Sequence, residues 1–361
     1  MSILLFVGAA ESLGIAMREE GCEVNQTASG SEMPRRADVL ALLGGVLFSL
    51  LLTGAIWLTG QRLAGVPHLP DAGPSWYYWK LPSLTVWGRV TAWGFYALHQ
   101  IALWAAIYYA QTRVKRYQAG LHRINVIALA INAFFIVLHL VQTQIWYDGL
   151  AQDVSIWSAQ GSVVLMLVLI LLMENPRRGL FFGKKMPFPQ RAVHLVRKYH
   201  GYIFAWATVY TLWYHPTEPT SGHLIGFLYM FLLLLQGSLF LTRVHVNRWW
   251  MVVQEVMVLV HGSLVAVMQG NSLWPMFAFG FGGIFVITQM HGLGLSRLVR
   301  GLILAVYGVA ALAVYYQRGW VRLNEIVRIP IIEYVAVFIL AYLIGGVLWL
   351  LSRLRAPARS R

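Results

Sequence analysis

Eleven histidines stand in a chain of 361 residues that is 58% hydrophobic and only 12% charged. Imidazole titrates near neutrality and serves as proton carrier, metal ligand or haem axial ligand. An ionisable side chain inside lipid is costly, so in an apolar chain it marks function or burial against other helices. The single cysteine, Cys22, excludes an intrachain disulfide, a cysteine zinc site and a thiolate-held iron–sulfur cluster, each of which needs several thiols. Any metal centre must use histidine or carboxylate.

The elements that position these residues follow from composition. Soluble domains carry about 25% charged residues, so a water-soluble enzyme is excluded. A helix crossing a hydrocarbon core of about 30 Å needs about 20 apolar residues. Ten segments meet that description, at 38 to 60, 84 to 111, 124 to 147, 153 to 174, 193 to 215, 223 to 243, 249 to 269, 274 to 294, 299 to 317 and 331 to 352. Pro67, Pro70, Pro74 and Pro82 follow the first segment, Asn175-Pro176 the fourth, His215-Pro216 the fifth and Asn271 the seventh, as turn stereochemistry requires. The expected fold is all-α, a polytopic transmembrane helix bundle of about ten spans (38–352).

The formal charge of +14 follows from where the basic residues sit. With a cytoplasmic N-terminus, twenty-one of the 28 Lys and Arg fall on the inner side and six (Arg62, Lys80, Arg89, Arg318, Arg322, Arg328) outside, with Arg18 in a leader. That asymmetry is the positive-inside pattern. It predicts both termini cytoplasmic, a multi-pass protein of a bacterial-type plasma membrane, and no nucleic-acid partner; the 177 to 198 loop can meet anionic membrane lipid headgroups. Residues 1–37 read as a disordered or interfacial leader, with a cleaved signal as the lesser reading because the positive charge follows the apolar run. Residues 353–361 read as a basic tail.

At 1.5 Å per residue, His122, His245 and His291 lie near the cytoplasmic face and His200 roughly 10 Å in. His99, His139 and His261 fall together at about 18–22 Å, His215 and His223 at the outer boundary, His68 in the first outer loop and His194 where the fifth segment begins. His200 and His215 differ by only about 60° in azimuth and about 22 Å in height. Asn125, Asn132 and His139 recur every seventh residue, as do Gln254 and His261 with Glu255 beside them. These stripes predict that segments three, five and seven face a common polar interior.

Between segments five and six runs His215-Pro216-Thr217-Glu218-Pro219-Thr220-Ser221-Gly222-His223. Two histidines and a carboxylate, His215, Glu218 and His223, suit zinc or iron; the same loop reads equally as polar residues meeting water and headgroups. Histidines at membrane height are also how b-type haem is held between helices. The mid-depth set is His139 and His261, with His99 as substitute, and the inner set is His200 with His291. Trp76, Tyr77, Tyr78, Trp79 and Trp87 fit an aromatic belt at the outer boundary. A third reading makes Gln254, Glu255 and His261 a proton relay. The stretches 122–174 and 193–245 also echo each other, as a duplicated helix pair would.

Arg197-Lys198-Tyr199-His200-Gly201-Tyr202 running on to His215, with Arg248-Trp249-Trp250 before His261, resembles the ferric-reductase-like and cytochrome b class of membrane haem domains over residues 190–295. This chain has Gln254 and Met268 where that class carries its second histidine pair. The resemblance implies haem b and electron transfer between a quinone and a partner redox subunit, since no segment outside the spans is large enough to hold a flavin. The alternatives are a metal-dependent membrane enzyme acting on a lipid or isoprenoid, and a proton-coupled transporter.

Overall fold

The computed structural model describes residues 36–73, 77–114, 117, 120–270 and 272–354; the leader and the end of the basic tail lie outside them. All ten expected segments are helices: α1 Arg36–Gly60, α2 Val86–Arg113, α3 Arg123–Trp146, α4 Ile156–Arg178, α5 Gln190–Tyr214, α6 Ser221–Ser238, α7 Arg248–Met268, α8 Trp274–Ile287, α9 Arg297–Arg318 and α10 Glu325–Leu354. Among the described residues there is no β-strand, only an isolated bridge between Phe181 and Lys184. Eight helices are long and apolar enough to cross a membrane, which makes the chain a multi-pass membrane protein by length and composition. The two outside that set are α5 and α8. The first carries Arg191, Arg197 and Lys198; the second has 14 residues, about 21 Å at 1.5 Å each, short of the hydrocarbon core.

Side-chain caps set many of the helix starts, since the first N–H groups of a helix have no internal acceptor. Thr85 accepts from Gly88 N, Ser155 from Trp157 N, Thr220 from His223 N, Asn247 from Trp249 N and Trp250 N, and Ser296 from Val299 N. Two segments stop earlier than the sequence predicts. α6 ends at Ser238, and the next residues turn back so that Gln236 Nε2 donates to the His245 carbonyl and His245 Nδ1 to the Gln236 carbonyl, both at 2.9 Å. α8 ends at Ile287, where Phe182 N takes the Ile287 carbonyl (2.8 Å) and the chain turns through a short 3₁₀ segment, Gln289–Gly292.

α6 is the hub: it packs on α1, α3, α5 and α7. α8 lies among α7, α9 and α10, while α10 also reaches α4 and α5. One apolar core gathers Phe135, Leu150, Trp213, Tyr214, Phe227 and Tyr229, and a second gathers Leu171, Leu172, Val196, Ile284, Tyr334 and Val337. The outward rows of α1 (Leu43, Leu47, Leu50), α9 (Leu302, Val306, Val309) and α10 (Ile332, Val335, Ile339) are exposed. Apolar area on that scale is unfavourable in water and neutral against lipid chains. The two echoing pairs differ in packing: α5 and α6 lie against each other, whereas α3 lies on α2 and α6, and α4 on α5 and α10.

Candidate functional site

The α3 stripe does not meet α7; it meets α6. Asn125 Nδ2 donates to the carbonyls of Ser238 (2.8 Å) and Phe240 (2.9 Å) at the end of α6. Asn132 Nδ2 donates to Leu234 O (3.2 Å) and Ser238 Oγ (2.7 Å). Its Oδ1 accepts from His99 Nε2 at 2.8 Å, and the other ring nitrogen, His99 Nδ1, accepts from Trp213 Nε1 at 3.2 Å. These partners fix the tautomer: an indole N–H only donates, so Nδ1 is bare and Nε2 carries the proton. His99 is therefore neutral, fully buried, and has both nitrogens committed. The expected interior shared by segments three, five and seven is met only around His215, on which His139 and His261 both act; elsewhere α3 packs on α6.

At the α5–α6 connection the imidazoles draw together. His139 Nε2 donates to the His215 carbonyl (2.9 Å), its ring 4.4 Å from Trp213. The His215 and His223 rings lie 4.9 Å apart, edge to face, and both feel the His261 ring of α7. His261 reaches α6 over Gly226, where a Cβ would stand 3.0 Å from its Nε2. Above them, Tyr77 places its hydroxyl 3.3 Å from His215 Nδ1 and Trp79 its ring 4.3 Å from that of His223. Gly149 lies under this connection, so close to the Tyr214 carbonyl that a Cβ would overlap it at 2.6 Å.

Glu218, which the sequence grouped with His215 and His223, bonds Tyr147: its carboxylate accepts from the Tyr147 hydroxyl, and Tyr147 Oη is 2.7 Å from His68 Nε2. With the phenol proton directed to Glu218, His68 Nε2 is the donor to Tyr147, giving a line His68–Tyr147–Glu218. Burial raises the Glu218 carboxyl above its ordinary value, with the Tyr147 hydrogen bond opposing, and burial lowers His68. Tyr147 closes α3 in the left-handed region at φ 41°, a conformation that a bulky residue adopts only when its surroundings hold it there. Among the described residues no group of three or more His, Cys, Asp or Glu side chains is arranged to hold a metal ion.

The α7 stripe divides between two neighbours. Gln254, Val258 and His261 fall along one row, with Val258 packed in the core that holds Phe227 and Tyr229 of α6. Glu255, Leu259 and Gly262 form the next row, with Leu259 and Gly262 against α8 at Gly282 and Phe281. Glu255 meets Arg178, the last residue of α4, whose Nη1 donates to both carboxylate oxygens at 2.9 and 2.7 Å. Arg178 and Glu255 side chains are 1% and 5% exposed, so this is a buried ion pair inside an apolar bundle. The sequence reading counted Arg178 among loop charges; the structure turns it inward. Tyr229 of α6 is also within electrostatic reach of Glu255, and Gln254 is buried with its amide unpartnered.

His200 and His291 are engaged separately. His200 Nδ1 donates to the Arg197 carbonyl (2.7 Å) with its edge on Phe204, while His291 Nδ1 accepts from Arg300 Nη1 (3.0 Å). Nothing in the sequence pattern marked Trp213, Tyr147 or Gly226, although Glu333, a carboxylate in an apolar segment, was a visible signal. Compared with known proteins, the chain matches no family model, no curated protein and no solved structure.

Proposed function

We propose that the chain is a multi-pass integral membrane protein with both termini cytoplasmic, and that its α6–α7 seam carries protons across the bundle. One observation carries this reading: protonatable and amide side chains follow the α6–α7 seam through the interior. His215, His223 and His261 stand at one end, Tyr229, Gln254 and the Glu255–Arg178 pair further along. At the other end, Gln236 accepts from Trp250 Nε1 at 2.6 Å and is bonded to His245. His223 and Gln236 are thirteen residues apart on α6, about 20 Å, two thirds of a hydrocarbon core. His68, Tyr147 and Glu218 form the outer mouth, and Tyr77 links that mouth to His215. Imidazole suits the task because it accepts a proton on one nitrogen and releases one from the other without leaving its place.

Haem-based electron transfer, which the resemblance implies, needs ring nitrogens free to bind iron. Both ring nitrogens of His99 are given to Asn132 and Trp213, which leaves that imidazole none for iron. The test is proton flux into proteoliposomes loaded with a pH-sensitive dye, driven by a valinomycin-set potassium diffusion potential. Wild-type protein should acidify the lumen well above protein-free vesicles, and Glu255→Gln and His261→Asn should each lower the rate at least tenfold. A wild-type rate equal to that of empty vesicles refutes the reading.

A further inference from the structure

A second buried carboxylate lies within electrostatic reach of the ion pair. Glu333 lies on α10, three residues past Pro330, and is 3% exposed. The Glu255 carboxylate acts on it through space, and among the described residues nothing hydrogen-bonds or pairs with it. Arg178 bonds Glu255 through Nη1 alone, while its Nε and Nη2 are buried without partners. Among the described residues no cation is paired with Glu333: Arg197 of α5 donates to the Met173 carbonyl at 3.1 and 2.7 Å. α4 supplies Glu174, Arg177 and Arg178, of which Arg177 is paired with Glu174; α6 supplies Tyr229 and α7 Glu255. α5 and α8 meet this part of α10 with Val193, Val196 and Ile284, and Tyr334 beside Glu333 gives its hydroxyl to Thr288 at 2.7 Å.

Two carboxylates and one guanidinium in a low-dielectric interior are neutral only when they hold one proton, and an uncompensated second anion is costly in such a medium. We infer that Arg178, Glu255 and Glu333 form a site that stores one exchangeable proton, with Glu333 as its holder while Glu255 is paired. This rests on the proton-carrying reading of the seam and names its storage station. Uptake makes a bond from the incoming proton to a Glu333 oxygen, and release breaks that bond; no other atom changes partner.

The experiment is infrared spectroscopy of the full chain in lipid at pH 7, reading the C=O stretch of neutral carboxylic acid as a difference between wild type and each variant. It needs no flux, so it separates this inference from the proposed function. Charge balance predicts one acid group's intensity lost in Glu333→Gln and one lost in Glu255→Gln, where Glu333 becomes the anion that balances Arg178. It predicts one acid group gained in Arg178→Gln. Both carboxylate variants remove charge while keeping shape and so preserve the fold. An acid band unchanged in Glu333→Gln overturns the assignment, and one unchanged in Glu255→Gln overturns the sharing of a single proton.

Discussion

Replacing Arg178 by Gln should destabilise the protein far more at pH 7 than at pH 5, and at pH 7 more than Glu255→Gln does. In wild type the guanidinium offsets the Glu255 charge at 2.7 Å. Without it, Glu255 must either stay as an unpaired buried anion or be buried as the neutral acid. The second course is the cheaper and sets the magnitude. Protonating a carboxyl with an ordinary pKa of about 4.3 at pH 7 costs about 3.7 kcal/mol, at 1.36 kcal/mol per unit; at pH 5 the same step costs about 1 kcal/mol. The sign follows: the folded variant binds a proton that the unfolded chain does not, so its stability is present at low pH and lost as pH rises. The pH 7 figure agrees with the 3–5 kcal/mol typical of removing one partner from a buried pair.

Glu255→Gln behaves differently because Glu333 remains to balance Arg178. At pH 5 the expected loss is that of the charge-assisted hydrogen bonds, about 1.5–3 kcal/mol; at pH 7 it shrinks by about 2.7 kcal/mol, because folded wild type must bind a proton that the folded variant does not. Unfolding in mixed micelles, followed by tryptophan fluorescence at both pH values, reads these differences. Equal destabilisation of Arg178→Gln at pH 5 and pH 7 would refute the reasoning, since it would mean that the lost contribution is packing or hydrogen bonding and not charge compensation.

Two further outcomes follow from the seam. Burial lowers His245 to about 4 from an ordinary 6.5, with the Gln236 carbonyl opposing, so the neutral ring stabilises the fold above pH 6.5 and that contribution falls away as pH drops toward 4. About 3 kcal/mol is at stake over that window, and His245→Asn should flatten the acid limb of a stability–pH curve recorded in micelles; an unaltered limb would contradict the assignment. Gly226→Val puts two methyl groups where a Cβ alone would already stand 3.0 Å from His261 Nε2, and should lower proteoliposome flux by about the same factor as His261→Asn while leaving thermal unfolding within a few degrees.

Helix existence was readable from the sequence because lipid imposes a strong constraint: backbone groups must be satisfied inside each spanning segment, so apolar length alone locates the helices to within a few residues, except at the ends of α6 and α8 and the start of α10. The polar stripes of α3 and α7 were readable too, since seven-residue spacing keeps Asn125, Asn132 and His139 on one side of a helix. Their destination was not. Asn125 and Asn132 meet backbone carbonyls of α6 and Ser238, and His261 meets a glycine. Carbonyls and glycines carry no side-chain signature, so the helix that joins the two stripes looked like an apolar passenger.

The same blindness explains Arg178. Next to Arg177 and after Pro176 it reads as loop charge, and Arg177 does behave so, half-exposed and paired with Glu174. What distinguishes two adjacent arginines is the azimuth at which α4 ends, about 100° per residue, which turns one to the surface and the other onto Glu255. Once Arg178 is inside, the charge count of the interior changes: Glu255 alone would be a compensated anion, and Glu333, on a helix more than seventy residues later in the chain, becomes the group that has no counter-ion. An apolar bundle that retains a carboxylate in that position needs a way to neutralise it, and a proton is the smallest ligand that does so. On the proposed reading the histidines supply the path by which such a proton reaches the pair, and the acids the place where it is kept.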